Sequence, residues 1–113
     1  MIVGLGIDVI DVSRIESAMV DPKFIERILT PAERLFVTTP HRMAGRWAAK
    51  EAIAKAVSVE LSWQDVEILN DEDGKPIAVI DAEKWRSKGF RLHISITHER
   101  GHAAAVAILE KTN

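Results

Sequence analysis

The chain has 113 residues, 47% of them hydrophobic and 28% charged, with a net charge of −2 and no cysteine. That length fits a single domain over residues 1–113, long enough to bury roughly two-thirds of its unfolded surface. Disulfides, thiolate chemistry and thiolate zinc sites are excluded, no apolar run approaches the ~20 residues that span a bilayer, and the start lacks the basic segment of a signal peptide, so a cytoplasmic protein without a membrane partner is expected.

Residues 2–12 alternate loosely and are rich in Ile and Val, which predicts a buried strand. On it Asp8 shares a face with Ile2, Ile10 and Val12, while Gly4 and Gly6 permit close backbone approach. They are no dinucleotide loop, because no glycine-led helix entry follows. Ser13-Arg-Ile-Glu16 has the form of a capping box opening a helix to about Val20. Asp21-Pro22 breaks it and starts a second short helix. Thr30-Pro-Ala-Glu33 is another capping box, with a helix expected to about Val37. Thr39-Pro40 opens the longest helix, which runs to about Val57.

The character changes near residue 64. Asp65–Leu69 and Ile77–Ile80 read as strands, and Asn70-Asp-Glu-Asp-Gly-Lys-Pro76 joins them in a hairpin. Residues 81–88 suit a short helix. Phe90–Thr97 alternates, His98–His102 is a turn, and Ala103–Leu109 is a small-residue strand packed on both faces. One strand, then helices, then mainly antiparallel strands make an α+β fold.

Charge is unevenly spread. Residues 13–56 carry eight Lys and Arg against five Asp and Glu, a net of +3, so the helical front would attract an acidic or phosphorylated partner. On the long helix Trp47, Glu51 and Lys55 share one side, and Arg46 and Lys50 form a row about 100° away. In isolation Glu51 and Lys55 are an ordinary helix pair. Asp8, on a strand such a helix should cover, offers a second carboxylate. Oxygen ligands with open positions suit Mg²⁺ together with phosphates and water. Lys55 would then balance phosphate charge or give up a proton. His98, at a strand end, can donate to a phosphate or bond to backbone. His98 and His102 have a zinc-like spacing without a supporting Cys/His cluster. His41 and His93 have no supporting context. Trp47, Trp63 and Trp85 are scattered as core or interface residues are, and no nucleic-acid motif accompanies them.

These segments together resemble the bacterial holo-acyl-carrier-protein synthases, small 4′-phosphopantetheinyl transferases. The resemblance runs nearly end to end. It lies in Gly6-Ile-Asp8 followed by Arg14, in Phe24-Ile-Glu-Arg-Ile-Leu-Thr30 and in Arg46-Trp-Ala-Ala-Lys-Glu-Ala-Ile-Ala-Lys-Ala56. It continues through Asp73-Gly-Lys-Pro76 and Ile94-Ser-Ile-Thr-His98 into Ala103-Ala-Ala-Val106.

The resemblance implies the phosphopantetheinyl transferase fold. It also implies transfer of 4′-phosphopantetheine from coenzyme A to a serine of apo acyl carrier protein, within fatty acid biosynthesis. Asp8 and Glu51 would be the Mg²⁺ carboxylates, and Lys55 would contact the pyrophosphate and help protonate the leaving 3′,5′-ADP. Arg46 and His98 would contact coenzyme A, the arginine from a neighbouring subunit of a homotrimer with active sites between subunits. Arg14, Lys23, Phe24 and Arg27 would form the carrier-protein dock. Where the family usually has a glycine-rich stretch, this chain reads Val57-Ser-Val-Glu-Leu-Ser62, so Ser58 would replace a glycine contact to the coenzyme. The rival expectation is a non-catalytic oligomeric protein that holds a nucleotide or an acidic partner on the same basic helices.

Overall fold

The structure is a computed structural model that describes residues 1–80 and 88–112. The order is β1 (Ile2–Asp11), α1 (Val12–Ala18), α2 (Pro22–Ile28), α3 (Pro31–Arg34), α4 (Pro40–Val57), a 3₁₀ turn (Trp63–Asp65), β2 (Val66–Asn70), β3 (Pro76–Ile80), β4 (Phe90–His98) and β5 (His102–Lys111). β1, β5 and β4 form an antiparallel sheet with β5 central, and β2 with β3 forms the hairpin expected from the Asn70–Pro76 turn. The fold is α+β. The expected helix over 81–88 and Trp85 fall largely outside the described residues, which resume at Lys88.

α4 is the axis of the molecule. Eleven of its eighteen residues are buried, four of them alanines with no exposed surface (Ala44, Ala48, Ala49 and Ala52), so the helix lies close on the sheet. Its tilt follows from its neighbours. Gly45 stands beside His98 of β4, whereas Ala52 and Ala56 stand beside Gly6 and Gly4 of β1. The helix therefore crosses the sheet diagonally, from β4 to β1. Ala103, Ala105, Ala107 and Leu109 of β5 supply the sheet's inner face. Burying these apolar groups is the main term that holds the layers together.

Several local expectations change, including the buried strand expected over residues 2–12, whose outer side chains are exposed. α1 starts at Val12 with Asp11 as N-cap and no side-chain cap bond, in place of the Ser13 capping box. The reason lies in the sheet: Asp11 is the last ladder residue opposite His102 and accepts from its Nε2 at 2.9 Å, while Val12 N–H donates to the Gly101 carbonyl at 3.0 Å. α3 stops at Arg34, because Leu35 and Phe36 have no core to meet and are 76% and 61% exposed. Ile2 leaves the face of Asp8, because the register between β1 and β5 slips between Ile2 and Gly4. The Thr30 capping box forms as read, with Glu33 N–H on Thr30 Oγ1 and Thr30 N–H on Glu33 Oε1. The inner residues of β5 are buried, but Ala104, Val106 and Ile108 on its other face are only half-buried.

The outer face of the sheet is unusual. Leu5, Ile7 and Val9 of β1 are 65%, 68% and 63% exposed. They pair across the ladder with Ile108, Val106 and Ala104.

Candidate active site

The site is built where β1 meets α4. A methyl group on Gly6 would lie 1.8 Å from the Ala52 carbonyl oxygen, and one on Gly4 would lie 1.9 Å from that of Ala56. Only glycine allows backbones this close, as the sequence suggested. Two strand residues thus advance about one helical turn, with strand and helix running in opposite senses. Asp8, next on the same face after Gly6, falls beside the turn of α4 that precedes Ala52.

Lys55 closes this corner. Its Nζ donates to the Ile7 carbonyl at 2.8 Å and lies 3.3 Å from Asp8 Oδ1. The lysine side chain is 54% exposed and that of Asp8 is 18% exposed, so the pair is accessible. An ion pair with an exposed partner is worth at most about 1 kcal/mol and yields readily to a ligand. Glu51, one turn before Lys55 on the same row, is half-buried, with no hydrogen bond or ion pair among the described residues. Asp8 and Lys55 are therefore together at β1, with Glu51 one helical turn before Lys55 on the same row of α4.

Asp8 and Glu51 give an oxygen-only donor set, which suits a hard divalent cation. Among the described residues no group of three or more His, Cys, Asp or Glu is arranged to hold a metal. A cation at this pair would draw its remaining ligands from phosphate oxygens and water, as Mg²⁺ commonly does.

Arg46 and His98 stand apart from that corner, on the β4 side of α4. A methyl on Gly45 would lie 2.6 Å from His98 Nε2, so this glycine makes room for the imidazole. The His98 pKa is lowered, first by partial desolvation beside Gly45 and then by His41 and Arg46. Arg46 is buried, and its Nη2 donates to Asn70 Oδ1 at 2.8 Å. His41 bonds to the Arg100 carbonyl at 3.0 Å. His102 is engaged by Asp11, so the zinc-like pair of His98 and His102 is divided between different partners. Ser58 ends α4 in the left-handed region with φ 53°, the conformation for which glycine is favoured.

The basic front forms a surface of its own. Phe24 of α2 stacks on Trp47 at 5.8 Å, Trp47 meets Trp63 at 4.5 Å, and the Arg27 guanidinium sits 5.9 Å above the Phe24 ring. A cleft between α1 and α2 is lined by Ser17, Val20, Lys23, Phe24 and Arg27. Arg14 is exposed on α1, outside that lining.

Sequence reasoning missed three elements. Lys50 Nζ binds Glu33 Oε1, the Ile28 carbonyl and the Trp63 carbonyl at 2.7, 2.7 and 3.0 Å. Glu33 Oε2 also accepts from Ile68 N–H at 3.0 Å. The available signal was a lysine in the middle of an alanine-rich helix. Asn70, read only as a turn residue, is the partner of Arg46, and Gly45 is the seat of His98.

Known proteins similar to this chain come from one family. Residues 4–108 match the sequence profile of the 4′-phosphopantetheinyl transferase superfamily. A holo-[acyl-carrier-protein] synthase of Geobacillus sp. (strain WCH70) is 43% identical over 122 residues, covering 98% of this chain and 98% of its own. That alignment is longer than the 113 residues here, so this chain lacks several positions its relative has. Among solved structures, a holo-(acyl-carrier-protein) synthase from Bacillus anthracis str. Ames in complex with CoA (3′,5′-ADP) superposes with a TM-score of 0.87 at 41% identity, covering 99% of both chains. The Neisseria meningitidis holo-[acyl-carrier-protein] synthase gives 0.88 at 31% identity, covering 98% of this chain and 100% of its own.

Proposed function

Because the chain belongs to the 4′-phosphopantetheinyl transferase superfamily, we propose that the corner formed by Asp8, Glu51 and Lys55 is its catalytic centre. The enzyme is a holo-acyl-carrier-protein synthase: it transfers the 4′-phosphopantetheine group of coenzyme A to a serine hydroxyl of apo acyl carrier protein. The serine oxygen bonds to the pantetheine-side phosphorus of the pyrophosphate. The bond from that phosphorus to the bridging oxygen breaks, 3′,5′-ADP leaves with the electron pair, and the serine proton is released. Such a transfer needs positioning and charge neutralisation more than covalent chemistry from the enzyme. The nucleophile belongs to the partner.

The contact between Lys55 and Asp8 beside the unpaired Glu51 carries this reading. In it Asp8 and Glu51 hold Mg²⁺, which when bound neutralises charge on the pyrophosphate. Lys55 moves from Asp8 to the phosphate oxygens and stabilises or protonates the departing oxygen. Arg46 and His98 bind coenzyme A, and Ser58 approaches it at the end of α4. Lys23, Phe24 and Arg27, with Arg14, dock the acidic carrier protein. Arg46 and His98 lie across α4 from Lys55, which supports a site completed between subunits. The exposed strip of Leu5, Ile7 and Val9 supports assembly through this sheet, as a homotrimer. The product, holo carrier protein, would serve fatty acid biosynthesis in the cytoplasm, and among the described residues no helix is long and apolar enough to cross a membrane.

The test is to incubate the chain with coenzyme A, apo carrier protein and Mg²⁺ or EDTA, then weigh the carrier. A phosphopantetheine mass gain that needs Mg²⁺ and disappears in Glu51→Gln and Lys55→Met is expected. Undiminished transfer by Glu51→Gln would remove that residue from the metal role.

A further inference from the structure

Arg46 is held in a way that a purely structural arginine would not be. It is only 8% exposed, and its Nε is sealed from solvent with no partner among the described residues. Burial pulls its pKa down from the ordinary value, and Glu33 offsets this only in part. A buried guanidinium ordinarily meets a carboxylate in contact. Here the hydrogen-bonding contact is a neutral amide, Asn70 Oδ1, at 2.8 Å from Nη2. A neutral partner fixes the group without cancelling its charge, and so leaves it able to receive an anion.

Asn70 is itself fixed. Its Nδ2 donates to the Gly74 carbonyl at 2.9 Å. That carbonyl only accepts and the guanidinium only donates, so a single amide orientation satisfies both ends. The turn behind it is tightly tied. Asp71 Oδ1 accepts from the N–H groups of Asp73 and Lys75 at 2.9 and 2.8 Å, and Gly74 takes φ 82°. The β2–β3 turn thereby sets the position of Asn70, and Asn70 sets that of Arg46.

We propose that Asn70 is a positioning residue, which holds Arg46 with its charge intact and its remaining Nη donors directed to a phosphate group of coenzyme A. The inference rests on the reading of Arg46 as a coenzyme contact. It also explains why asparagine, and not aspartate, stands here: a carboxylate would hold the same geometry while competing with the phosphate for the guanidinium.

The test measures 3′,5′-ADP affinity by calorimetry for the full chain and for Asn70→Ala, Asn70→Asp, Arg46→Ala and the double variant Arg46→Ala/Asn70→Ala. KM for coenzyme A and for carrier protein, and thermal melting, are recorded alongside. Losing one charge-assisted hydrogen bond should weaken 3′,5′-ADP binding by Asn70→Ala roughly tenfold, with KM for the carrier unchanged. Asn70→Asp, near-isosteric and still an acceptor, should bind at least as weakly; a merely structural role would leave it close to the parent chain. In the Arg46→Ala background, Asn70→Ala should add less than about twofold, because coupled residues are not additive. If Arg46→Ala weakens binding while both Asn70 variants bind as the parent does, positioning is overturned and the coenzyme role of Arg46 stands. Positioning is equally overturned if Asn70→Ala keeps its full effect without Arg46. Unchanged binding by Arg46→Ala overturns both.

Discussion

Lys50 Nζ lies 2.7 Å from Glu33 Oε1, and both side chains are closed to water, at 2% and 0% exposure. The lysine spends its three donors on Glu33 and on the carbonyls of Ile28 and Trp63. It thus ties the end of α2 and the 3₁₀ turn to α4. Desolvation lowers the Lys50 pKa despite Glu33, which shows how costly its burial is. Removing the lysine would leave Glu33 buried as an uncompensated charge and two carbonyls without a donor. Lys50→Met should therefore cost about 3–5 kcal/mol in urea unfolding. A loss under about 1 kcal/mol would mean that the pair is not the fastener of these elements.

The glycines of the site separate two kinds of constraint. A methyl on Gly6 would meet the Ala52 carbonyl, which is backbone and cannot turn aside. Gly6→Ala must push β1 off α4 and carry Asp8 with it, so it should lower stability by about 1–3 kcal/mol or more and abolish transfer. A methyl on Gly45 would meet the ring of His98, a side chain that can rotate. Gly45→Ala should melt near the parent temperature yet raise KM for coenzyme A. Equal thermal losses in the two variants would refute this distinction.

The sequence announced what is local. The turn from Asn70 to Pro76, the Thr30–Glu33 capping box and the proline start of α4 were readable because a few neighbouring residues decide them. The meeting of Asp8 with Lys55 was readable because charges on apolar elements need a reason. The partners of Lys50 and Arg46 were hidden, since Glu33 is 17 residues from the first and Asn70 is 24 from the second. No periodicity encodes such pairs; packing of α4 against α3 and β2 creates them. The start of α1 was misplaced for a similar reason. Pairing of Asp11 with His102 overrides a plausible local cap.

Ser58 is the C-cap of α4. Its φ of 53° is unfavourable for any residue with a Cβ, and its hydroxyl makes only a long contact of 3.4 Å to the Lys55 carbonyl. Ser58→Gly should raise stability by about 0.5–1 kcal/mol, read as a higher melting temperature. The sign of that shift is the check, because a stabilising serine cap would instead make the variant melt lower.

Charge reversal tests the proposed dock without disturbing the core. Phe24 stacks on Trp47, so its removal would mix folding with binding. Lys23 and Arg27 are exposed on the same cleft. Lys23→Glu/Arg27→Glu should raise KM for the acidic carrier protein by tenfold or more at low salt, leave KM for coenzyme A unchanged, and shrink in effect as salt is added. A salt-independent effect, or an equal rise in KM for coenzyme A, would place the dock elsewhere.

Acid should weaken the fold through His98. Its pKa in the folded chain lies below the ordinary 6.5, chiefly because partial desolvation beside Gly45 disfavours the imidazolium of this otherwise exposed side chain, with charge repulsion from His41 and Arg46 outweighing a hydrogen bond at His41. Below that ordinary value the unfolded chain binds a proton at this position that the folded chain resists. Stability therefore rises with pH across the interval between the folded and unfolded values, and falls as the solution is acidified below about 6.5. His98→Gln should flatten this part of the stability profile while leaving the neutral-pH side unchanged. Urea midpoints at a series of pH values for both chains provide the measurement, and parallel profiles would show that another group carries the acid dependence.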